Sequence, residues 1–383
     1  MDKALKEIIE KVKENGGNIY QIGGSVRDEI LGIPNNDEDY CVTGLEEKEF
    51  ENIFPNALKL GKDFKVYNIN GKEIALARTE KKTKLGHKGF EISTNKNITI
   101  EQDLARRDIT INSIAKDLIT NEYIDPFNGI SDIKNKIIRA TTNAFKEDPL
   151  RVYRVARFAA YLNFEVHENT IEMMKNLKEE LLYLPKERIF KEFEKVLKSQ
   201  NPQNFFNVLL KSQVLDVHFK EIAQTLKENY KSVVNSLKKS IEITDDVKVR
   251  FAVLVQNMNI NAVENLGKRI GLPKKWIKCG KESVLYYNKC KYFKELDLSD
   301  KVDLIECVSK SILGIEGLKI ISISNNNFNI EYNNIINFEK ISNEMLRKIN
   351  GQYIINKYNI KDGRIFKDKL KEERMYWLRE NYT

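Results

Sequence analysis

Leu5, Ile8, Ile9 and Val12 recur at helical steps among charged neighbours. That spacing predicts one amphipathic helix, which Gly16-Gly17 then ends. Residues 18–22 read as a short buried strand running into Gly23-Gly24. A short helix over 26–31 is closed by Gly32-Ile33-Pro34. A second strand is predicted over 39–43 and a helix over 45–53. Short apolar runs follow at 57–60, 65–69, 73–78 and 90–93. Strands mixed with helices in this way predict an α/β or α+β unit. After about residue 140 the pattern changes. Residues 150–162, 170–182, 187–197 and 205–215 all fit helical periodicity, and only Pro149, Pro185, Pro202 and Pro273 interrupt the rest. More than half of the chain therefore reads as helical. Residues 318–341, with Asn runs and alternation, read as loop or strand.

Composition narrows the function. A chain of 383 residues predicts two to three folding units. The net charge of +8 fits a polyanionic partner, although it speaks to association and not to fold. The three histidines, His87, His167 and His218, exclude a multi-histidine metal hydrolase. No two of the four cysteines have CxxC spacing, which predicts reduced thiols. The charged N-terminus has no apolar h-region, and no apolar run reaches the ~18 residues of a membrane span. These features predict a cytoplasmic protein with no membrane partner.

Two motifs suggest chemistry. In Gly23-Gly24-Ser25-Val26-Arg27-Asp28 a strand leads through two glycines into a helix. Glycines let backbone approach a phosphate, the helix start offers free N–H groups, and Arg27 adds a charged fork. The same pattern also serves an ordinary strand–turn–helix. About ten residues on, Asp37-Glu38-Asp39 opens an apolar strand. Residues i and i+2 of a strand share a face, so Asp37 and Asp39 would converge while Glu38 points away. Hard cations such as Mg²⁺ favour such oxygen ligands. A lone DxD is more often an acidic turn, and its neighbour, the glycine turn, is what favours a site.

Residues 23–40, GGSVRDEILGIPNNDEDY, resemble the GGxVRD…DxD signature of the nucleotidyltransferase superfamily. The branch they resemble is the tRNA nucleotidyltransferase/poly(A) polymerase family, in particular its bacterial CCA-adding members. Further segments match that branch in order. These are Ala75–Glu80, the Arg106-Arg107-Asp108 motif within 104–112, 125–139, the EDxxR motif over 147–151 with its following helix, and 184–189. The motifs cover residues 18–200, with a weaker likeness to the C-terminus.

The resemblance implies a fold, a reaction and a set of residue roles. The fold is α+β, with a mixed-sheet nucleotidyltransferase head followed by an all-helical neck, body and tail. The catalytic head would span 1–140 and the base-recognising neck 141–200. A helical body resembling a degenerate HD region would span 201–285, and a tRNA-binding tail 286–383. The reaction is template-independent addition of CCA to the tRNA 3′ end from CTP and ATP, by two-metal transfer that releases pyrophosphate. Asp37 and Asp39 are the implied catalytic and Mg²⁺-binding pair. Glu80 is a possible third carboxylate. Gly24, Arg27, Arg107, Asp148, Arg151, Arg154 and Arg157 are the implied nucleotide-binding residues. Without the resemblance, Arg106 and Arg107 would read as surface charges, Arg151-x-x-Arg154-x-x-Arg157 as a solvated basic face, and Asp148 as a helix cap.

Asp148 and Arg151 also suggest how a base is chosen without a template. An aspartate accepts from an exocyclic amino group, and an arginine donates to the ring acceptor beside it. Cytosine and adenine present that pattern, whereas uracil and guanine present a carbonyl to the carboxylate. Three further features refine the expectation. Residues 81–89 resemble the family's flexible loop, which favours complete CCA addition. Asp63 fits the tRNA enzymes better than the poly(A) polymerases. Gln256-Asn257 stand where HD-bearing relatives have His-Asp, so no phosphatase or phosphodiesterase activity is expected. Basic positions such as Lys268-Arg269 and Lys274-Lys275 would meet tRNA phosphates, and a monomer is favoured. The alternatives are an A-adding, CC-adding or poly(A)-adding relative, and a noncatalytic tRNA-binding protein.

Overall fold

The computed structural model describes residues 2–34, 38–60, 65–82, 90–325, 328–359 and 363–382. The chain forms two compact units. The first comprises Met1–Glu192 and Asn204–Val217, and the second Phe193–Gln203 and His218–Thr383.

In the first unit, Asp2 caps α1 (Lys3–Glu14) by accepting from the Leu5 N–H at 2.7 Å. The strands are β1 (Asn18–Ile22), β2 (Asp39–Thr43), β3 (Leu58–Leu60), β4 (Val66–Ile69), β5 (Lys72–Leu76), β6 (Thr79–Lys82), β7 (Phe90–Ser93), β8 (Ala115–Asp117) and β9 (Tyr123–Ile124). Seven of them lie in the order β3-β4-β5-β2-β1-β8-β9, while β6 and β7 form a separate hairpin. The sheet is mixed, because β2 and β5 run parallel and the other neighbours antiparallel.

The helices of this region are α2 (Gly24–Leu31), α3 (Glu47–Ile53), α4 (Ile100–Ala105), α5 (Gly129–Lys134) and α6 (Arg151–Leu162). One face of the sheet buries Ile19, Tyr40, Val42, Tyr67 and Ile74 beneath Ile8 and Val12 of α1 and Phe50 of α3. The opposite face packs Tyr20, Ile22, Cys41 and Ala115 against Ile100 and Leu104 of α4. The strands are thus covered on both faces, and this explains their nearly continuous apolar character. Strand β10 (Ile137–Ile138) pairs in parallel with β11 (Glu165–Val166).

The remainder is helical, as the periodicity predicts. It comprises α7 (Glu168–Asn176), α8 (Lys178–Leu181), α9 (Lys186–Lys198), α10 (Gln203–Lys211), α11 (Leu215–Ile243), α12 (Val247–Val255), α13 (Ile260–Ile270), α14 (Lys274–Lys291), α15 (Leu298–Ser309), α16 (Gly314–Ser324), α17 (Phe328–Lys348), α18 (Gly351–Tyr358) and α19 (Gly363–Tyr382). Two details differ from expectation. The helix expected over 170–182 breaks at Leu177, with φ −90° and ψ 3°, into α7 and α8. The stretch 318–341, expected as loop or strand, lies almost wholly in α16 and α17. Its Leu318, Ile321, Ile335 and Phe338 enter one buried cluster with Met345, at three- and seven-residue steps that keep them on one face of each helix. Burial of that stripe overrides the weak helical preference of the asparagines between.

Asn325 lies just past the end of α16 and carries a structural load of its own. It exchanges amide hydrogen bonds with Gln256 at 3.1 and 3.2 Å, accepts from Ser236 at 3.1 Å and donates to the Tyr287 hydroxyl at 2.7 Å. Tyr287 in turn bonds Glu331, which pairs with Lys291 at 2.6 Å. The amide at the HD-like position is therefore part of a satisfied buried polar network. No helix among the described residues is long and apolar enough to cross a membrane.

Candidate active site

The first unit contains a cleft of about 640 Å³ where β1, β2, β5, α2 and α6 come together. Strand β1 ends at Ile22 and the chain turns through Gly23, whose φ of +73° is a conformation that glycine adopts without strain. There is a second reason for glycine here, since a Cβ on Gly23 would lie 3.1 Å from Arg107 Nη1. Helix α2 begins at Gly24, so its free N–H groups face the cleft at the end of the strand.

Asp39 opens β2 and is exposed at the cleft wall. It stands between Ile22 on β1 and Glu73 on β5, in direct register with both. Glu73 lines the same cleft. Glu38 is drawn elsewhere, because the Tyr40 hydroxyl donates to it at 2.7 Å and Lys72 Nζ at 2.9 Å. The bonds from Tyr40 and Lys72 hold its carboxyl below the usual range. Asp37 lies outside the described residues, as do Asp63 and residues 83–89.

Eight arginines line the described part of the same cleft: Arg27, Arg78, Arg106, Arg107, Arg151, Arg154, Arg157 and Arg188. They are held by a chain of buried acceptors. Arg27 bonds Asp28 at 2.8 Å and donates to Asn112 Oδ1 at 2.7 Å. Asn112 donates to Asp108, which receives Arg154 Nε at 2.7 Å. Burial pushes the Asp108 carboxyl up, but Arg154 and Arg151 outweigh it and leave it below the usual range. Arg157 pairs with buried Glu192 at 2.6 Å. Such an array of rigid forks suits a polyphosphate.

Two family profiles match the chain. The one described as "Poly A polymerase head domain" covers residues 19–139, and the one described as "Probable RNA and SrmB-binding site of polymerase A" covers 163–226. The CCA-adding enzyme of Buchnera aphidicola subsp. Cinara cedri is 41% identical over 260 residues, 62% of each chain. Residues 19–139 thus match the head domain of the poly(A) polymerase type. A second relative, the multifunctional CCA protein of Haemophilus ducreyi, is 44% identical over 213 residues, covering 54% of this chain and 51% of that one. The matches to these curated relatives thus span less than two thirds of their length. Among solved structures, a CCA-adding enzyme with ATP aligns at TM-score 0.69 and 23% identity, covering 99% of this chain and 90% of that one. A Thermotoga maritima CCA-adding enzyme complexed with tRNA aligns at TM-score 0.65 and 22% identity, covering 100% and 93%. These likenesses bear out the mixed-sheet, helix-rich α+β fold.

The cleft gathers Gly24, Arg27, Asp39, Arg107, Asp148, Arg151, Arg154 and Arg157. Asp148 and Arg151 both line it. Asp148 accepts from the Leu150 N–H at 3.0 Å and from Arg188 Nη2 at 2.9 Å. Arg151 donates instead to the carbonyls of Ala144 at 2.8 Å and Arg106 at 2.6 Å. The basic run on α6 is not a solvated face, since Arg154 and Arg157 are both ion-paired.

Sequence reasoning missed Glu73, Phe158 and Arg188 as members of the site. The Phe158 ring lies 5.4, 5.6 and 4.1 Å from the guanidinium carbons of Arg27, Arg154 and Arg157. One buried aromatic therefore spaces three like charges. Phe158→Leu is expected to lower the unfolding free energy by about 1–3 kcal/mol, read from urea denaturation. A loss below about 0.5 kcal/mol would show that the ring is not needed to space the cluster.

Proposed function

We propose that the protein adds C, C and A to the 3′ end of tRNA from CTP and ATP and releases pyrophosphate. The observation that carries this reading is the position of Asp39, next to Ile22 at the Gly23–Gly24 turn and in one cleft with eight arginines. The names of the relatives and of the structural neighbours support it. The carboxylates of Asp39 and Glu73 are hard oxygen donors on adjacent strands, a donor set that suits Mg²⁺. Asp37 and Asp39 are the proposed metal ligands. When bound, Mg²⁺ supplies charge neutralisation on the triphosphate and activation of the acceptor 3′-hydroxyl.

The chain's own residues do the rest. Gly24 and the start of α2, with Arg27, Arg107, Arg154 and Arg157, hold the triphosphate. The acceptor oxygen forms its bond to the α-phosphorus, the bond to pyrophosphate breaks with its electron pair leaving on the pyrophosphate oxygen, and the hydroxyl proton passes to solvent. Asp148 reads the amino group shared by cytosine and adenine, and Arg151 supports it by fixing the start of α6. The head over 1–140 carries the chemistry and the neck over 141–200 reads the base. Residues 201–285 and 286–383 contribute tRNA binding. The protein acts as a monomer in the cytoplasm, a setting that suits its four free cysteines.

The test uses purified protein, Mg²⁺ and three tRNA transcripts, ending before CCA, after C and after CC. Each receives CTP, ATP or both, and products are resolved to one nucleotide. Stepwise growth to CCA followed by arrest is expected, with no growth in excess EDTA. Extension of the CC-ending transcript alone would make it an A-adding enzyme, and arrest after CC a CC-adding one. Long A tails would make it a poly(A) polymerase. No extension in any lane would favour a noncatalytic tRNA-binding protein.

A further inference from the structure

Asp103 has no place in the motifs and does not itself line the cleft, yet it holds both arginines of the Arg106-Arg107-Asp108 segment. It lies on α4, with a side chain only 1% exposed, three and four residues before them. Oδ1 accepts from Arg106 Nε at 3.0 Å and Nη2 at 2.7 Å. Oδ2 accepts from Arg107 Nε at 3.3 Å and Nη2 at 2.9 Å. Each carboxylate oxygen thus takes one guanidinium edge through charge-assisted hydrogen bonds. Burial pushes the Asp103 carboxyl up, but Arg107 and Arg106 outweigh it and bring it down to about 2. It is therefore a fixed negative charge.

With two of its nitrogens engaged, Arg107 turns Nη1 against the bare backbone of Gly23. Asp103 also holds the backbone of Arg78, a third cleft-lining residue. The Arg78 N–H donates to Oδ1 at 3.3 Å, and the Arg78 carbonyl accepts from Arg106 Nε at 3.2 Å. The chain entering β6 is thereby tied to the same carboxylate.

We propose that Asp103 is a positioning residue for nucleotide binding, which fixes Arg107 against the Gly23–Gly24 turn before the triphosphate arrives. The inference rests on the nucleotidyl-transfer reading above. A long arginine side chain has many rotamers, and ordering it on binding weakens affinity. Asp103 removes most of that cost in advance. One anion against two cations also leaves a net positive charge directed to the cleft.

The test is a double-mutant cycle on CTP affinity, measured calorimetrically with Mg²⁺ and no tRNA, so that no transfer occurs. Asp103→Asn and Arg107→Gln are each expected to weaken CTP binding about tenfold. The double variant is expected to bind no worse than Arg107→Gln alone, because Asp103 acts through Arg107. Losses that add to about a hundredfold would overturn the proposal and leave Asp103 with a general structural role. Thermal melts and tRNA affinity are followed in parallel. Should Asp103→Asn fail to fold, Asp103→Glu keeps the charge and moves the carboxylate by one methylene. It is expected to weaken CTP binding a few-fold with tRNA affinity unchanged, and unaltered CTP affinity would overturn the proposal. A wild-type protein that binds neither CTP nor ATP would instead sink the transfer reading, and this inference with it.

Discussion

Asp39→Ala is expected to abolish nucleotide incorporation while leaving tRNA affinity intact. Asp39 is exposed at the start of β2, so its removal opens no cavity and breaks no packing. Its neighbours in register, Ile22 and Glu73, remain in place through backbone hydrogen bonds that a side-chain change does not touch. What is lost, on the proposed reading, is a carboxylate that would hold a divalent ion against the triphosphate. Charge stabilisation of that kind contributes several kcal/mol to a phosphoryl-transfer barrier, and each 1.36 kcal/mol is tenfold in rate. A fall of at least ~10³-fold in single-turnover rate is therefore expected. Affinity for tRNA, measured by gel shift, should stay within about twofold of wild type. Incorporation at the wild-type rate would remove Asp39 from the metal site, and loss of tRNA binding would mean that the substitution had disturbed the fold.

The second large effect concerns which nucleotide is added. Asp148→Ala is expected to reduce the preference for CTP over UTP by ~10²-fold or more. The reasoning starts from the carboxylate's two bonds. Oδ1 is anchored on the Leu150 N–H and Oδ2 on Arg188, so the group is held in one orientation at the cleft wall. A fixed acceptor rewards an amino group and penalises a carbonyl, and buried polar mismatches of that sort discriminate by 10⁴ or more in other sites. Alanine removes both reward and penalty. It also removes a cap-like bond before α6, a stability loss of about 1 kcal/mol. The ratio of kcat/KM values for CTP and UTP is therefore the proper readout, since a loss of folded protein cancels from it. Selectivity equal to wild type would exclude Asp148 from base reading. Arg188→Gln offers a companion measurement, because it leaves the carboxylate but frees Oδ2.

Most of this site was legible in the chain because its motifs are local. The two glycines and Arg27 fall within five residues, and α6 carries Arg151, Arg154 and Arg157 at steps that keep them together. The general reading of Glu38 also held, since strand alternation sends it away from Asp39. What could not be read depends on pairing across distance. Glu73 joins the site only through the parallel register of β2 and β5. Arg188 reaches Asp148 from forty residues away. Asp103 did leave a trace, in its i+3 and i+4 spacing to Arg106 and Arg107, but that pattern is common on solvated helices. The Asn-rich stretch misled for a related reason, because its helical stripe has meaning only where α15, α16, α17 and α19 share a core.

The make-up of the cleft has a consequence for what can control it. Among its described lining residues there are arginines and carboxylates but no histidine, lysine or cysteine. Arginine keeps its proton at any pH a cell reaches, and carboxylates ordinarily lose theirs well below neutrality. Among these described residues neither lysine acetylation nor thiol oxidation has a target. A modification of either kind that altered the cleft would have to act from outside them.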